Sequence, residues 1–326
     1  MGNDLSIMTF IFSIPGVTNM YYIFVNPASQ SGKGATLLNE ATGYLKSKQA
    51  EFEIHTTQKD KGIDEEVEEI LKKEETAKII VMGGDGTLNH CINGIKDFSR
   101  VELSVLPTGS GNDFVANKDL PKAMEERIDN ILNRKRVSSI DVGLTTVSND
   151  GEAPVSRRFI VSSGLGYDAE ICYSVDHSSV KNILNKIGLG KLAYIFIGVR
   201  NIFTNKLSTI TLTVNNKTAI FPNSFFVAAM NQPCEGGGVH MAPDARDTDG
   251  ELGFTLFYNM THLKGLFTIP KIYSKKHIGR SGVAYLTGKE IEITCSEPKM
   301  VHCDGEVIGT FKNVHIILDR KITFVY

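Results

Sequence analysis

The chain has 326 residues, 41% hydrophobic and 22% charged, which argues against disorder and suggests two domains at roughly 150 residues each. With 35 Lys+Arg against 37 Asp+Glu the net charge is −2, so no global field recruits nucleic acid or an anionic membrane, and membrane contact must be local. The five cysteines (Cys91, Cys172, Cys234, Cys295, Cys303) form no CxxC pair and the eight histidines no HExxH, which speaks against a disulfide framework or a transition-metal centre and fits a reducing cytosol.

The amino terminus "MGNDLSIMTFIFSIPGVTNM" is apolar in part, but Asp4 replaces a basic leader and Pro15 and Gly16 interrupt it, well short of a ~20-residue span. Residues 1–19 are therefore read as neither signal peptide nor anchor but as an extension or a misassigned start. From Tyr21 the pattern alternates. "YYIFV" predicts a buried strand, and Leu37, Leu38, Ala41, Tyr44 and Leu45 follow at helical spacing.

"FEIHTT" predicts a second strand, and Ile63, Val67, Ile70 and Leu71 a second helix with acids first and Lys72 and Lys73 last, matching the helix dipole. "AKIIVM" is the third strand, with a helix over residues 88–95. "ELSVLP" is the fourth, with a helix over residues 124–132. These are repeated βα units on a mostly parallel sheet, so the first domain is α/β.

After "SSIDVGL" the texture changes to short alternating runs, "STITLTV", "SFFVAAM" and "KEIEITC", separated by turn signals. They predict a mainly antiparallel β domain, with helical interludes near "KLAYIFIGVRNIF" and "HLKGLFTIPKIYSKKH".

Ligands bind open α/β sheets at the carboxyl ends of the strands, and three glycine-bearing turns lie there. "GGDGT" at residues 83–87 offers backbone N–H groups, a hydroxyl and a carboxylate within five residues, as a phosphate site at a helix start would. "FVNPASQSGKGAT" is not a Walker A loop, because Pro27 stands where the leading glycine belongs and Gly34 follows Lys33 where Ser or Thr is required. "LPTGSGNDFV" is the third. Together they describe one nucleotide cleft.

Taken alone, "GGGVHMAPDARDTDGELGF" with Asp244, Asp247 and Asp249 reads first as a solvated acidic turn, with a hard-cation loop as the alternative. "VHCDGEVIG" with Asp304 and Glu306 reads first as a hairpin.

These pieces in this order resemble the lipid kinases of the diacylglycerol kinase catalytic-domain family, which includes bacterial diacylglycerol kinases and sphingosine and ceramide kinases. The resemblance runs from Met20 to Tyr326 and rests on "NPASQSGKG", "GGDGTLNHCING", "LPTGSGNDFV", "IDVG", "GLGYDAE", "GGGVHMAPDARDTDG" and "DGE". It implies an ATP-binding α/β domain over residues 20–143, to which a segment at about 312–326 returns, and a β-sandwich lipid-substrate domain over 144–311. It departs in the first loop, two residues longer than the plainer NPxSG form, and at His90 and Cys91, where the family usually has an acid and an apolar residue.

By the same resemblance the nucleotide site maps to Asn26, Pro27, Ala28, Thr57, Gly83, Gly84, Asp85, Gly86, Thr87, Leu88, Asn89 and Ser110. The magnesium loop maps to Asp249 with backbone oxygens of Arg246 and Glu251, and the proposed base to Glu306. Asp85 stays open as the other candidate base. Asp113, Asp141 and Asp168 are supporting residues, and ATP and Mg²⁺ the cofactors. Phosphoryl transfer asks mainly for positioning, charge neutralisation and a carboxylate that takes the hydroxyl proton.

A lipid acceptor implies peripheral association at the inner face of the membrane, with no nucleic-acid partner and a homodimer as a further expectation. Leu192, Ile195, Phe196, Val199 and Phe203 fall on one helical side, as in an interfacial helix or equally a core-packing one. Lys271, Lys275, Lys276 and Arg280 follow in "KIYSKKHIGR". The leading expectation is phosphorylation of diacylglycerol. The alternatives are a sphingoid-base or other lipid kinase, a soluble-substrate kinase of the NAD kinase type, and a non-catalytic nucleotide-binding regulatory protein.

Overall fold

A computed structural model of the chain describes residues 20–26, 33–56, 62–109, 111–177 and 190–326. The expectations placed on residues 1–19, Pro27, Ala28, Thr57 and Ser110 lie outside them. All five residues of β1 (Tyr21–Val25) are buried, and alternation along the strand sorts them into two layers. Tyr22 and Phe24 pack with Val67, Ile70 and Leu71 of α2 (Ile63–Lys73) and Leu88 and Ile92 of α3 (Asp85–Gly94). Tyr21, Ile23 and Val25 pack oppositely, with Ala41 and Leu45 of α1 (Lys33–Ser47) and with Met124, Ile128 and Ile131.

Strands β2 (Phe52–Thr56), β1, β3 (Ala77–Gly83) and β4 (Val101–Pro107) lie in that order, all parallel. The short α4 (Asp113–Ala116) and α5 (Met124–Leu132) follow β4. Helix α3 starts three residues earlier than the periodicity predicts, because extended Gly84 serves as its N-cap. Asp85, Gly86 and Thr87 therefore form its first turn.

The antiparallel part comprises β5 (Val137–Ser148), β6 (Val155–Phe159), β7 (Ser162–Gly166), β8 (Ser208–Val214), β9 (Lys217–Ser224), β10 (Phe226–Met230), β11 (Leu252–Phe257), β12 (Val283–Gly288), β13 (Glu290–Cys303) and β14 (Glu306–Val325). Its core includes Leu165, Leu212, Val227, Phe254, Ile293 and Val314. Helices α6 (Tyr167–Asp176), α7 (Gly190–Thr204) and α8 (His262–Thr268) lie on it. The fold is thus an α/β domain with a parallel sheet joined to an antiparallel β-sandwich.

One strand binds the two halves. β14 pairs with β13 over residues 306–317 and runs antiparallel to β5 over residues 313–325. At its end Thr323 and Phe324 lie parallel beside Glu102 and Leu103 of β4. A displacement of either half is therefore resisted by the backbone ladder of a single strand.

Candidate active site

The glycine turns after β3 and β4 touch through their backbones. A Cβ on Gly109 would lie 2.4 Å from Gly84 Cα, and one on Gly83 would lie 2.5 Å from Thr87 Cβ. Only glycine fits such an approach. Asn26, at the end of β1, donates its N–H to Met82 O at 3.4 Å, which sets it beside the same turn.

Asp85 does more than open α3. Its carboxylate accepts the N–H groups of Asp113 (2.9 Å) and Phe114 (3.1 Å), capping α4 from the neighbouring turn. Left-handed Asn112 (φ 57°) closes that turn, accepting from Gly109 N and donating to Gly109 O, both at 2.9 Å. Among the described residues no N-cap side chain caps α3 itself, and the N–H groups of its first turn are of the kind that hold phosphate.

The last two residues of the matched phosphate motif turn inward. Leu88 sits in the α2–α3 core, and fully buried Asn89 donates to Asp304 Oδ2 (2.8 Å) and Arg158 O (2.9 Å) and accepts from Arg157 Nε (2.8 Å). Their side chains serve the core and the junction between the halves, so these two residues have only backbone groups to offer a nucleotide.

The other side of the cleft is the turn between β13 and β14. Asp304 (φ 51°) and Gly305 (φ 86°) are both left-handed, the backbone of a type I′ hairpin. The half-buried Asp304 carboxylate accepts the N–H groups of Ile160 (2.9 Å), Val161 (2.8 Å) and Ser162 (3.0 Å) as well as the Asn89 amide. Glu306 follows and lies against α3. A methyl on Gly86 would be only 2.9 Å from its Oε1. The third glycine of GGDGT is thus the space the carboxylate occupies.

The supporting acids are unequal. Burial, then the Asp85 charge, push the Asp113 carboxyl up to about 6, opposed by N–H groups of Gly237 and Gly236. A Cβ on Gly111 would lie 3.4 Å from Asp85 Oδ2 and 3.5 Å from Asp113 Oδ2, so the two carboxylates flank one small space. A raised folded-state pKa means that ionised Asp113 destabilises the fold above pH ~6, a cost that fades as pH falls towards the unfolded value of ~4. Asp113→Asn is expected to be about 2–3 kcal/mol more stable than wild type at pH 7.5, with the gap in thermal midpoint closing by pH ~4.5. An equal gap at both pH values would show that charge burial is not its origin.

Asp141 is buried, pairs with Lys321 (2.9 Å) and accepts the Gly250 N–H (2.9 Å), so it anchors the acidic loop beside Asp249. Asp247 is committed to Lys118 at 2.5 Å. Asp249 is exposed and uses Oδ1 for the Glu251 N–H (3.0 Å). Asp168 stands behind the DGE turn, bonded to His302 Nε2 at 2.9 Å. The carboxylate of Asp249 and the carbonyls of Arg246 and Glu251 are hard oxygen donors, which suit Mg²⁺ and not zinc.

His302, Arg157 and the structural role of Asp304 escaped the sequence reading. Asp304 lies within the DGE motif, but nothing local marks a carboxylate whose partners lie 142 to 215 residues away.

Comparison with known proteins places these features. The Diacylglycerol kinase catalytic domain matches residues 20–145, and the YegS C-terminal NAD kinase beta sandwich-like domain matches residues 160–324. The chain is 28% identical over 233 residues to YtlR of Bacillus subtilis (strain 168), spanning 72% of this chain and 75% of that one. It is 26% identical over 293 residues to a diacylglycerol kinase of Staphylococcus carnosus (strain TM300), spanning 88% of each. A crystal structure from Bacillus anthracis str. Sterne, 22% identical, superposes with a TM-score of 0.72 over 94% of this chain and 97% of that one, which establishes a common fold.

Proposed function

We propose that this chain, which belongs to the diacylglycerol kinase catalytic-domain family, transfers the γ-phosphate of ATP to a hydroxyl of a membrane lipid, with diacylglycerol as acceptor and phosphatidic acid as product. The observation that carries the reading is the approach of Glu306 to Gly86, which sets a carboxylate against a phosphate-type helix start. The lipid hydroxyl oxygen attacks the γ-phosphorus as Glu306 takes its proton, and the bond to ADP breaks. Backbone N–H groups of residues 83–87 hold the phosphates. Asp85 already gives both carboxylate oxygens to main-chain N–H groups, which favours Glu306 as the base.

Mg²⁺ would be held by Asp249 with the carbonyls of Arg246 and Glu251, and when bound it neutralises phosphate charge. Asp249→Ala is expected to raise the half-saturating Mg²⁺ concentration about tenfold or more, since a charged ligand is worth over ~1.4 kcal/mol. An unaltered Mg²⁺ titration would remove the loop from the metal site.

Support for a bilayer-borne acceptor comes from an exposed apolar surface. Phe196, Val199 and Phe203 of α7 and Leu263 and Phe267 of α8 are exposed, and His262 Nε2 of α8 donates to Asn205 O just past α7, 3.1 Å away. Exposed Lys271, Lys275, Lys276 and Arg280 follow α8. Such a face suits an anionic leaflet, and among the described residues no helix is long and apolar enough to cross a membrane.

The deciding experiment supplies labelled ATP and Mg²⁺ with diacylglycerol, monoacylglycerol, sphingosine, ceramide and polyprenol in mixed micelles, beside NAD. Label in diacylglycerol supports the proposal. Label in another lipid would reassign the acceptor, and label in NAD alone would sink the lipid reading.

A further inference from the structure

Behind the DGE turn lies a buried unit that the reaction above does not use. His302 is fully buried, and its Nε2 is 2.9 Å from Asp168 Oδ2. Its other nitrogen, Nδ1, accepts the N–H of Gly305 at 3.1 Å. Asp168 arrives from the first turn of α6, and His302 is the cross-strand partner of Gly164 in β7. A Cβ on Gly164 would lie 2.1 Å from Asp168 Oδ2 and 2.6 Å from His302 Nε2. The first glycine of "GLGYDAE" therefore makes the room in which the pair meets.

The hydrogen bonds settle where the imidazole proton sits. A backbone N–H can only donate, so Nδ1 must be the acceptor and the proton belongs on Nε2, directed at Asp168. Burial opposes the charged ring, but the carboxylates of Asp168, Glu235 and Asp304 outweigh it and push the His302 pKa up to about 9. A second proton would have to sit on Nδ1 against the Gly305 N–H, and that geometry opposes the upward shift and favours a bare Nδ1. Asp168, Glu235 and His302 bring ligand atoms within 4.8 Å of one another. With Nε2 protonated, however, the cluster is a hydrogen-bonding one and not a cation site. Ser162 Oγ completes it by donating to Glu235.

We infer that Asp168 and His302 are positioning residues for Glu306: Asp168 fixes the histidine tautomer, His302 anchors the Gly305 N–H, and the turn then aims Glu306 at the first turn of α3. Asp304 holds the turn at one residue, through the N–H groups of residues 160–162. His302 holds it at the next. Between two anchored residues and β14, the Glu306 Cα has little freedom, and a misplacement of about 1 Å in a reacting group can cost ~100-fold. The inference rests on the proposed role of Glu306 as base.

The test compares two substitutions that both remove the Asp168 contact but differ at Nδ1. His302→Asn places an oxygen near the Nδ1 position and keeps an acceptor for Gly305, whereas His302→Leu fills the space without one. The expected result is a kcat within about threefold of wild type for His302→Asn and at least about tenfold lower for His302→Leu, with the KM for ATP within about twofold in both. Asp168→Asn, whose amide can present a donor and invert the tautomer, should lower kcat by about tenfold or more with the KM for ATP preserved. A purely structural role predicts the reverse order, since buried leucine packs better than buried asparagine. Equal loss in the two His302 variants, or a change in thermal midpoint with kcat untouched, would overturn the proposal.

Two readouts do not depend on turnover. Nitrogen-15 histidine spectra of the full chain should show His302 with a protonated Nε2 and a bare Nδ1 at pH 7, and an imidazolium or an Nδ1–H ring would overturn the inference. The carboxyl carbon resonance of Glu306 should move in His302→Leu and stay in His302→Asn. If wild type phosphorylates no acceptor while these spectra behave as expected, the kinase reading fails and the positioning geometry stands.

Discussion

Glu306→Gln should leave a folded protein that no longer turns over. The substitution keeps the shape of the side chain and its place against Gly86 but removes the group that accepts the hydroxyl proton. General-base catalysis is worth about 10²–10⁴-fold, so kcat is expected to fall by that factor. Surface substitutions of this kind usually shift stability by no more than ~0.5 kcal/mol, and Glu306 is only part-buried. Steady-state kinetics with lipid micelles and a thermal melt on the same preparation make the check. Activity within about threefold of wild type would move the base to Asp85, and a collapsed melt would make Glu306 structural.

Asp304→Asn, two residues away, should do the opposite to stability. The wild-type carboxylate is half-buried and takes four N–H donors, from residues 160–162 and from Asn89. An amide replaces one acceptor oxygen with a donor, which then faces donors. Hydrogen bonds to a charged group contribute about 1.5–3 kcal/mol each, and a buried donor left unpaired costs about 1–3 kcal/mol. A loss of about 3 kcal/mol is expected, or a thermal midpoint lower by ~4–5 °C for a chain of this size. Because Asn89 belongs to α3 and Asp304 to the sandwich, the loosened contact is the one between the two halves. A midpoint within ~2 °C of wild type would mean that water or a shifted turn replaces the lost acceptor.

The two expectations separate chemistry from scaffold within a single three-residue motif. They also show why DGE can be read in two ways. As a hairpin it needs the left-handed Asp304 and Gly305, and as a site it needs Glu306 at a fixed place. The backbone requirement of the first delivers the second.

What the sequence determined by itself was local. Alternation in "YYIFV" and "AKIIVM", helical spacing in α2 and α5, and glycines at strand ends are properties of neighbouring residues, so the parallel βα units and the glycine turn that opens α3 were legible there. The antiparallel texture after residue 143 was equally plain, since period-2 runs and turn residues encode it without distant partners. The acid-rich motifs were visible too, but their roles were not. Asp113, Asp141, Asp168 and Asp247 look alike in the sequence, yet one sits beside Asp85, one pairs with Lys321, one with His302 and one with Lys118. Tertiary structure alone decided this, because the partner that neutralises or spares a carboxylate comes from another strand. The same holds for Gly86 and Glu306, and for Asn89 and Asp304, which lie 215 residues apart. A site assembled from the ends of β3, β4 and β13 exists only once long-range pairing along β14 has closed the two halves on each other.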